Sequence, residues 1–263
     1  INIRKSKPAP NHRQGEENGI KRIPSNRMNM ESKTYNAVKF DEWKTRKKIL
    51  VILAHPDDPE FFLGGTIAQW TGAGHEVSYL LFTKGERGIS EKYQNGEELK
   101  LIRVAEQKNA ASVLGVTDIS YLDFPDGYIE VNLENRRMLV GEIRKRQPDL
   151  VVSCDPQTLF HHYYVNHPDH RAVGMLSVDA VFPAAGSPAF FPEQLEEGLR
   201  VAAIQELWLS LTVEPNISLD VSPQWDLRIK ALKKHVSQIG DPIQFEQKWN
   251  ERRREAMGSE DGY

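Results

Sequence analysis

Apolar positions along the chain fall into two textures. Short, nearly unbroken apolar runs occur at Lys47–Ala54 (KKILVILA), Glu76–Thr83 (EVSYLLFT) and Asp149–Ser153. Strands of a parallel sheet look like this because both of their faces are covered. Between the runs lie longer stretches with helical spacing. Phe61–Thr71 offers Phe62, Leu63, Ile67 and Trp70 to one face and ends near Gly72 and Gly74. Glu97–Leu114 offers Leu101, Val104, Ala105, Ala111 and Leu114, with Gly115 as a stop. Val131–Arg146 is ended by Pro148, and Asp169–Val181 reads as a fourth helix. Weaker signals predict a brief strand at Ser120–Asp123, a late one at Arg200–Leu211 and a short one at Ser218–Val221. Ser222–Ile239 and Phe245–Met257 read as closing helices, and no internal repeat is visible.

Strands alternating with helices at this spacing predict an α/β, Rossmann-like fold, with a mainly parallel sheet flanked by helices on both faces. Such sheets bind ligands beyond the carboxyl ends of their strands. The chemistry is therefore expected in the loops 55–60, 84–90, 123–128 and 154–170. The expected organisation is a flexible leader over 1–38, a single domain over 39–258 with order beginning near Phe40, and a tail over 259–263.

Composition narrows the class. The chain has 263 residues, 39% hydrophobic and 27% charged, which suits an ordinary globular protein with a sizeable core. Its one cysteine, Cys154, excludes an internal disulfide framework and a Cys-rich zinc site within one chain. No apolar run approaches the roughly 20 residues needed to span a bilayer, and the first residues have no apolar signal segment. A cytoplasmic location is the expectation. Net charge is −3, but residues 1–35 carry +5 and the remainder −8. An acidic body argues against nucleic acid as a partner.

Two short clusters carry chemistry. His55-Pro56-Asp57-Asp58-Pro59-Glu60 follows the first strand and holds an imidazole and three carboxyls. Adjacent carboxylates point in different directions, so one can bind a metal while the other handles protons. The bland alternative is an Asp pair capping the next helix. The second cluster, Asn166-His167-Pro168-Asp169-His170-Arg171, repeats His-Pro-Asp at the start of another helix. Two His residues and one carboxylate make a suitable set for zinc with a position left for water.

At this point the chain resembles a family. AHPDDPEFFLGGTIA, the later HPDHRAVG, and the supporting GERG, FPDG and ALKKHVSQ are similar to the LmbE/PIG-L zinc-dependent de-N-acetylases over roughly residues 47–240. Many members have Glu directly after the Asp pair; here Pro59 intervenes before Glu60. The resemblance implies an LmbE-like deacetylase domain that removes the acetyl group from an N-acetylated amino sugar or glycoconjugate. It implies zinc on His55, Asp58 and His170, with other divalent transition metals also able to bind. It further implies Asp57 as general base and His167 beside the carbonyl oxygen, as an imidazolium if protonated. Asp169 is assigned to orient or charge a histidine, or else to cap its helix.

Arg87 of GERG resembles the family's sugar-contacting arginine. Asp126 of FPDG is a candidate acceptor for sugar hydroxyls, or an Asp-Gly turn residue. His235 is a candidate to reach the pocket or a neighbouring subunit, or an exposed helix histidine. Relatives suggest a homo-oligomer. Gly64-Gly65-Thr66 lacks the spacing and lysine of a phosphate loop, so close helix–strand packing is the reading. Cys154 reads as a small buried side chain. His161, His162, Tyr163 and Tyr164 stay open between a substrate lip and a plain loop. The other readings are a metal-dependent amidase or esterase on a non-sugar substrate, and a non-catalytic metal- or sugar-binding protein.

Overall fold

A computed structural model describes residues 43–89, 91–160 and 164–258. The expected leader, the start of order near Phe40, the tail and the open positions His161, His162 and Tyr163 lie outside the described residues.

Five strands form one sheet: β1 (Lys48–Leu53), β2 (Glu76–Thr83), β3 (Asp118–Phe124), β4 (Leu150–Cys154) and β5 (Glu206–Ser210). Their order is β3-β2-β1-β4-β5 and every pairing is parallel, with Ile49 opposite Val77 on one side and Leu150 on the other. Alternate residues of β1 serve opposite layers. Ile49, Val51 and Leu53 join one core cluster, which includes Ile67 and Trp70 of helix α1 (Asp58–Gly72). Leu50, Ile52 and Ala54 join the other, with residues of α3 (Leu133–Arg146) and α4 (Pro168–Asp179). Both faces are covered, which is why the run carries no polar alternation.

The chain runs outward from β1 to β2 and β3, then returns to the other side of β1 for β4 and β5. The strand order therefore reverses between β1 and β4. A crevice opens at such a point beyond the carboxyl ends of the two strands. His55 follows β1 and Asn166–His170 follow β4, so the topology brings the two clusters together.

Several expectations change. The first helix starts at Asp58 rather than Phe61, because Pro59 fits its first turn, where a missing N–H costs nothing. The third strand is longer than expected, Asp118–Phe124. The late strand is only Glu206–Ser210, and Ser218–Val221 is not a strand. The predicted helix over 222–239 breaks into a 3-10 turn (Ser222–Gln224), α6 (Trp225–Leu232) and α7 (Val236–Ile239). That interruption carries His235 inward, where it is fully buried. A wide turn over Ala180–Ala185 and the short helix α5 (Pro192–Glu196) had no sequence signal, and α8 (Pro242–Gly258) closes the described chain.

Helix α2 (Gly96–Val113) buries Ala111 as expected, with Leu114 just past its end, but the rest of its buried face differs. Leu101 is 73% exposed, whereas Leu99, Arg103, Gln107 and Ala110 are buried. Gly64 and Gly65 also differ from expectation: a Cβ there would meet Arg228 and Val221 of the C-terminal region, not a strand.

Gly174 sets the distance between α4 and β4. A Cβ there would lie 2.4 Å from the Cys154 carbonyl oxygen and 3.1 Å from the Pro156 nitrogen. Backbone cannot yield as a flexible side chain can. Gly174→Ala is expected to destabilise the fold by about 1–3 kcal/mol and to displace α4, which carries His170. Urea denaturation checks the first effect; an unchanged midpoint contradicts it.

Candidate active site

Asp58 stands between two imidazoles. Its Oδ2 accepts the backbone N–H of His55 at 2.8 Å and lies 3.4 Å from His55 Nδ1. Its Oδ1 lies 3.1 Å from His170 Nε2. The fold of this loop explains the reach: Asp58 opens α1 and its carboxylate turns back over the residue that ends β1. His170 is held from behind. Its Nδ1 lies 3.2 Å from Asn166 Oδ1, and Asn166 Nδ2 donates to the Thr158 carbonyl at 2.8 Å. An amide oxygen only accepts, so the His170 proton sits on Nδ1. Nε2 then meets Asp58 with a lone pair, unless a second proton or a cation lies between them.

Both nitrogens of His55 face carboxylates. Nε2 lies 3.2 Å from Asp126 Oδ1 and 3.3 Å from Asp169 Oδ2. Burial opposes charge on this imidazole, but Asp58, Asp126 and Asp169 together raise its pKa well above the ordinary histidine value. Burial also works against ionisation of Asp58, yet His170 and His55 hold its pKa far below the usual carboxylate range. Asp126 and Asp169 are lowered as well, each against the burial penalty and each chiefly through its contact with His55. The cluster thus demands positive charge, which protons or a divalent cation can supply.

Two sets of donors converge closely enough to hold a cation: His55, His167 and His170, and separately His55, Asp126 and Asp169. Within each set, one ligand atom per residue lies within 4.8 Å of the others. Asp58 meets the two flanking imidazoles through different oxygens, Oδ2 toward His55 Nδ1 at 3.4 Å and Oδ1 toward His170 Nε2 at 3.1 Å. The residues present fit a divalent cation.

His167 caps α4. Its Nδ1 accepts the Asp169 N–H at 3.2 Å, and its ring sits 4.7 Å from that of His55. Burial, with His55 and His170 nearby, lowers its pKa. Of the two protonation states left open from sequence, this favours a neutral ring, with its proton on Nε2 because Nδ1 accepts. Of the two roles left open for Asp169, capping falls to His167 instead; the Asp169 carboxylate meets His55 and accepts the N–H groups of Gly127 at 2.7 Å and Ile129 at 3.4 Å.

Asp57 sits beside this cluster in an unusual backbone state, φ +89°. That region is rare for a residue with a side chain and costs on the order of 1–3 kcal/mol. Its N–H donates to Gln107 Oε1 at 2.7 Å, and Arg103 Nη2 donates to its Oδ2 at 3.2 Å. Burial pushes its pKa up, Arg103 pulls it down and Asp58 pushes it up again, to about 6. Arg103 is itself fixed by the carbonyls of Gly85 (2.8 Å) and Pro56 (2.6 Å).

Two of the three supporting motifs, GERG and FPDG, clip together. Glu86 Oε1 accepts the Asp126 N–H at 2.8 Å, and Asp126 Oδ2 accepts the Arg87 N–H at 3.0 Å. Arg87 remains on the rim, its guanidinium 4.5 Å from the centre of the exposed Tyr128 ring. Asp126 differs from expectation, since it is buried and both its oxygens are engaged, one of them with His55. His235 does not line the cleft. It is fully buried and its Nε2 lies 3.1 Å from Glu60 Oε2. Cys154 is buried as read, and Tyr164 is exposed.

The cleft has a volume of about 310 Å³ and is lined by His55, Asp57, Asp58, Arg87, His167 and His170, among others. A larger cavity of about 780 Å³ runs along β5 and includes none of these residues. The converging titratable groups, not size, mark the smaller cleft as the site. Sequence reasoning missed Arg103, Gln107 and Asn166. Asn166 adjoins a motif, but the other two lie on a helix with no motif of their own.

Fold and cleft together define a parallel α/β protein with a cluster of carboxylates and imidazoles, able to hold a cation, at its topological switch point. Residues 50–181, half of the chain, match the family described as PIG-L, GlcNAc-PI de-N-acetylase, and the chain belongs to that family. The diacetylchitobiose deacetylase of Thermococcus kodakarensis is 39% identical over 197 residues, 75% of this chain and 72% of that one. A probable N-acetyl-alpha-D-glucosaminyl L-malate deacetylase 2 of Bacillus anthracis is 28% identical over 76% of this chain and 85% of its own. Among solved structures, the N,N'-diacetylchitobiose deacetylase from Pyrococcus horikoshii, complexed with its inhibitor MPG, is similar with a TM-score of 0.74. That match has 34% identity and covers 83% of this chain and 80% of the other. Among the described residues, no helix is long and apolar enough to cross a membrane.

Proposed function

We propose that the protein is a zinc-dependent de-N-acetylase that hydrolyses the acetamide of an N-acetylated amino sugar to free amine and acetate. Short chitooligosaccharides such as diacetylchitobiose are the substrate class, on the strength of the relatives' activities. The observation that carries the reading is Asp57. It is a carboxylate beside the His55–Asp58–His170 cluster but directed to Arg103 instead of to either imidazole. A protein that only binds a cation needs Asp58 and has no use for that neighbour.

His55, Asp58 and His170 would hold the zinc. When bound it would supply a Lewis acid and lower the pKa of a water toward about 7. Asp57 takes a proton from the attacking water and later delivers it to the leaving nitrogen. The Nε2–H of His167 donates to the carbonyl oxygen as negative charge develops there. Being neutral, it stabilises that charge as a hydrogen-bond donor and keeps its proton. Asp126 and Asp169 orient the His55 ring through Nε2, as carboxylates behind ligating histidines do. Arg87 on the rim offers forked donors to sugar hydroxyls.

The test is acetate release from N,N'-diacetylchitobiose and N-acetylglucosamine by zinc-loaded protein. The expected result is one acetate per free amine, lost on chelation and restored by zinc. Loaded protein that turns over neither sugar would overturn the reading.

A further inference from the structure

Beneath Asp57 lies a buried polar chain that the proposed chemistry does not use. Gln107 Oε1 accepts the Asp57 N–H at 2.7 Å, and Gln107 Nε2 donates to both oxygens of Glu60 at 3.0 Å. Glu60 receives a further contact of 3.1 Å from His235 Nε2, which comes from the break between α6 and α7. Glu60, Gln107 and His235 are all 0% exposed. A buried carboxylate needs donors, and here they come from helix α2 and from the break between α6 and α7, far apart in sequence.

The orientation of the Gln107 amide is determined at both ends. A backbone N–H must meet its oxygen, and a carboxylate must meet its nitrogen. Glu60 therefore fixes which way the amide points, and the amide fixes the Asp57 N–H. That N–H belongs to the residue with φ +89°, a backbone state that persists only when its surroundings impose it. The φ of Asp57 decides where its carboxylate stands relative to the cluster.

We infer that Gln107 and Glu60 form a positioning pair for Asp57, with His235 as the brace behind Glu60. The inference rests on the reading of Asp57 as general base. Glu60 faces α2 rather than the cleft, so its job is to hold the loop from behind. His235 then acts from inside the protein and not by touching substrate.

The pair can be inverted. Gln107→Glu alone sets two carboxylates against each other and frees the amide orientation. Adding Glu60→Gln restores a complete set: Glu at 107 accepts from Asp57 and from the new amide at 60, whose oxygen accepts from His235. In Gln107→Glu, kcat is expected to fall by about tenfold or more, with KM and bound metal unchanged. Exchange of the Asp57 amide hydrogen, followed by NMR, is expected to accelerate. Glu60→Gln alone, which keeps most contacts, loses less. The double variant is expected to recover kcat to within about fivefold and to restore amide protection.

A Gln107→Glu variant that keeps kcat within about twofold overturns the inference. So does a loss explained by metal or KM, or a double variant that regains melting temperature without regaining kcat and protection. If Gln107→Glu does not fold, Gln107→Met removes both bonds without adding charge. It is expected to show the same loss, with no rescue by Glu60→Gln, and unchanged kcat there is equally fatal. If wild type releases no acetate, the hydrolase reading fails by itself. The amide exchange rates then decide the positioning pair alone, and equal rates in wild type and Gln107→Glu overturn it.

Discussion

Asp57→Asn is expected to lower acetate release by about a hundred- to ten-thousand-fold while bound metal and KM stay at wild-type values. Asparagine keeps the shape and can still accept from Arg103, so the loop should hold. What disappears is the ability to take and return a proton. The pH dependence sharpens the test. A general base must be ionised, so kcat/KM follows the ionised fraction and falls tenfold per pH unit below the pKa of the group. Burial, only partly offset by Arg103, brings Asp57 to about 6. A cation beside it would draw that value lower. The acid limb of the wild-type profile should therefore lie at or below about pH 6, and the residual activity of Asp57→Asn should lack it. Equal rates for wild type and variant remove Asp57 as base.

The parts of the fold that were legible are those in which one physical demand controls the residue choice. β1 and β2 are covered on both faces, so most of their positions are apolar, with Lys48 and Glu76 exposed at their starts, and the runs are unmistakable. The reversal of strand order then follows from alternating strands and helices only if the order is known, and no sequence feature states it. Its consequence was visible all the same, because two His-Pro-Asp segments lie in the loops that such a fold uses for chemistry. Cys154 was legible for a similar reason: a small residue closing an apolar strand has nowhere to go but the interior.

Where two demands compete, the pattern misleads. Helix α2 must pack against the sheet and also support the loop after β1. Arg103 and Gln107 meet the second demand from its buried face, so the polar residues are inside and Leu101 is outside. A rule that reads apolar as buried places Ala111 and Leu114 correctly but misplaces Leu101 and passes over Arg103 and Gln107. Spacing held a clue, since Leu99, Arg103, Gln107 and Ala110 recur at helical intervals, but only a known partner makes a buried arginine plausible. His235 failed for a related reason. A continuous helix over 222–239 would have left it on a surface, whereas the break after Leu232 turns it toward Glu60. Breaks of this kind come from tertiary partners, here a carboxylate 175 residues away, and leave no Gly or Pro signal in the local sequence.

Three donor sets share His55, and metal analysis of variants separates them. If zinc uses His55, Asp58 and His170, then His55→Ala and His170→Ala should each fall from about one metal per chain to less than about a tenth after identical loading and washing, since each removes one of three protein ligands. The first change is the harsher. It also removes the imidazole that Asp58 meets at one nitrogen and Asp126 and Asp169 meet at the other. His167→Ala should keep its metal. The Nδ1 of His167 is committed to the Asp169 N–H, so its loss removes a helix cap, about 1 kcal/mol, and the Nε2–H donor. The rate should drop by about a hundred- to a thousand-fold. Asp126→Asn should also keep its metal, since it supports His55 from the opposite nitrogen. The rival sets invert these outcomes. If the three imidazoles are the ligands, His167→Ala empties the site; if Asp126 and Asp169 are, Asp126→Asn does. Metal retained in His167→Ala and Asp126→Asn but lost in His170→Ala leaves Asp58 as the carboxylate ligand. It also leaves Asp57 next to it as the carboxylate free to move protons.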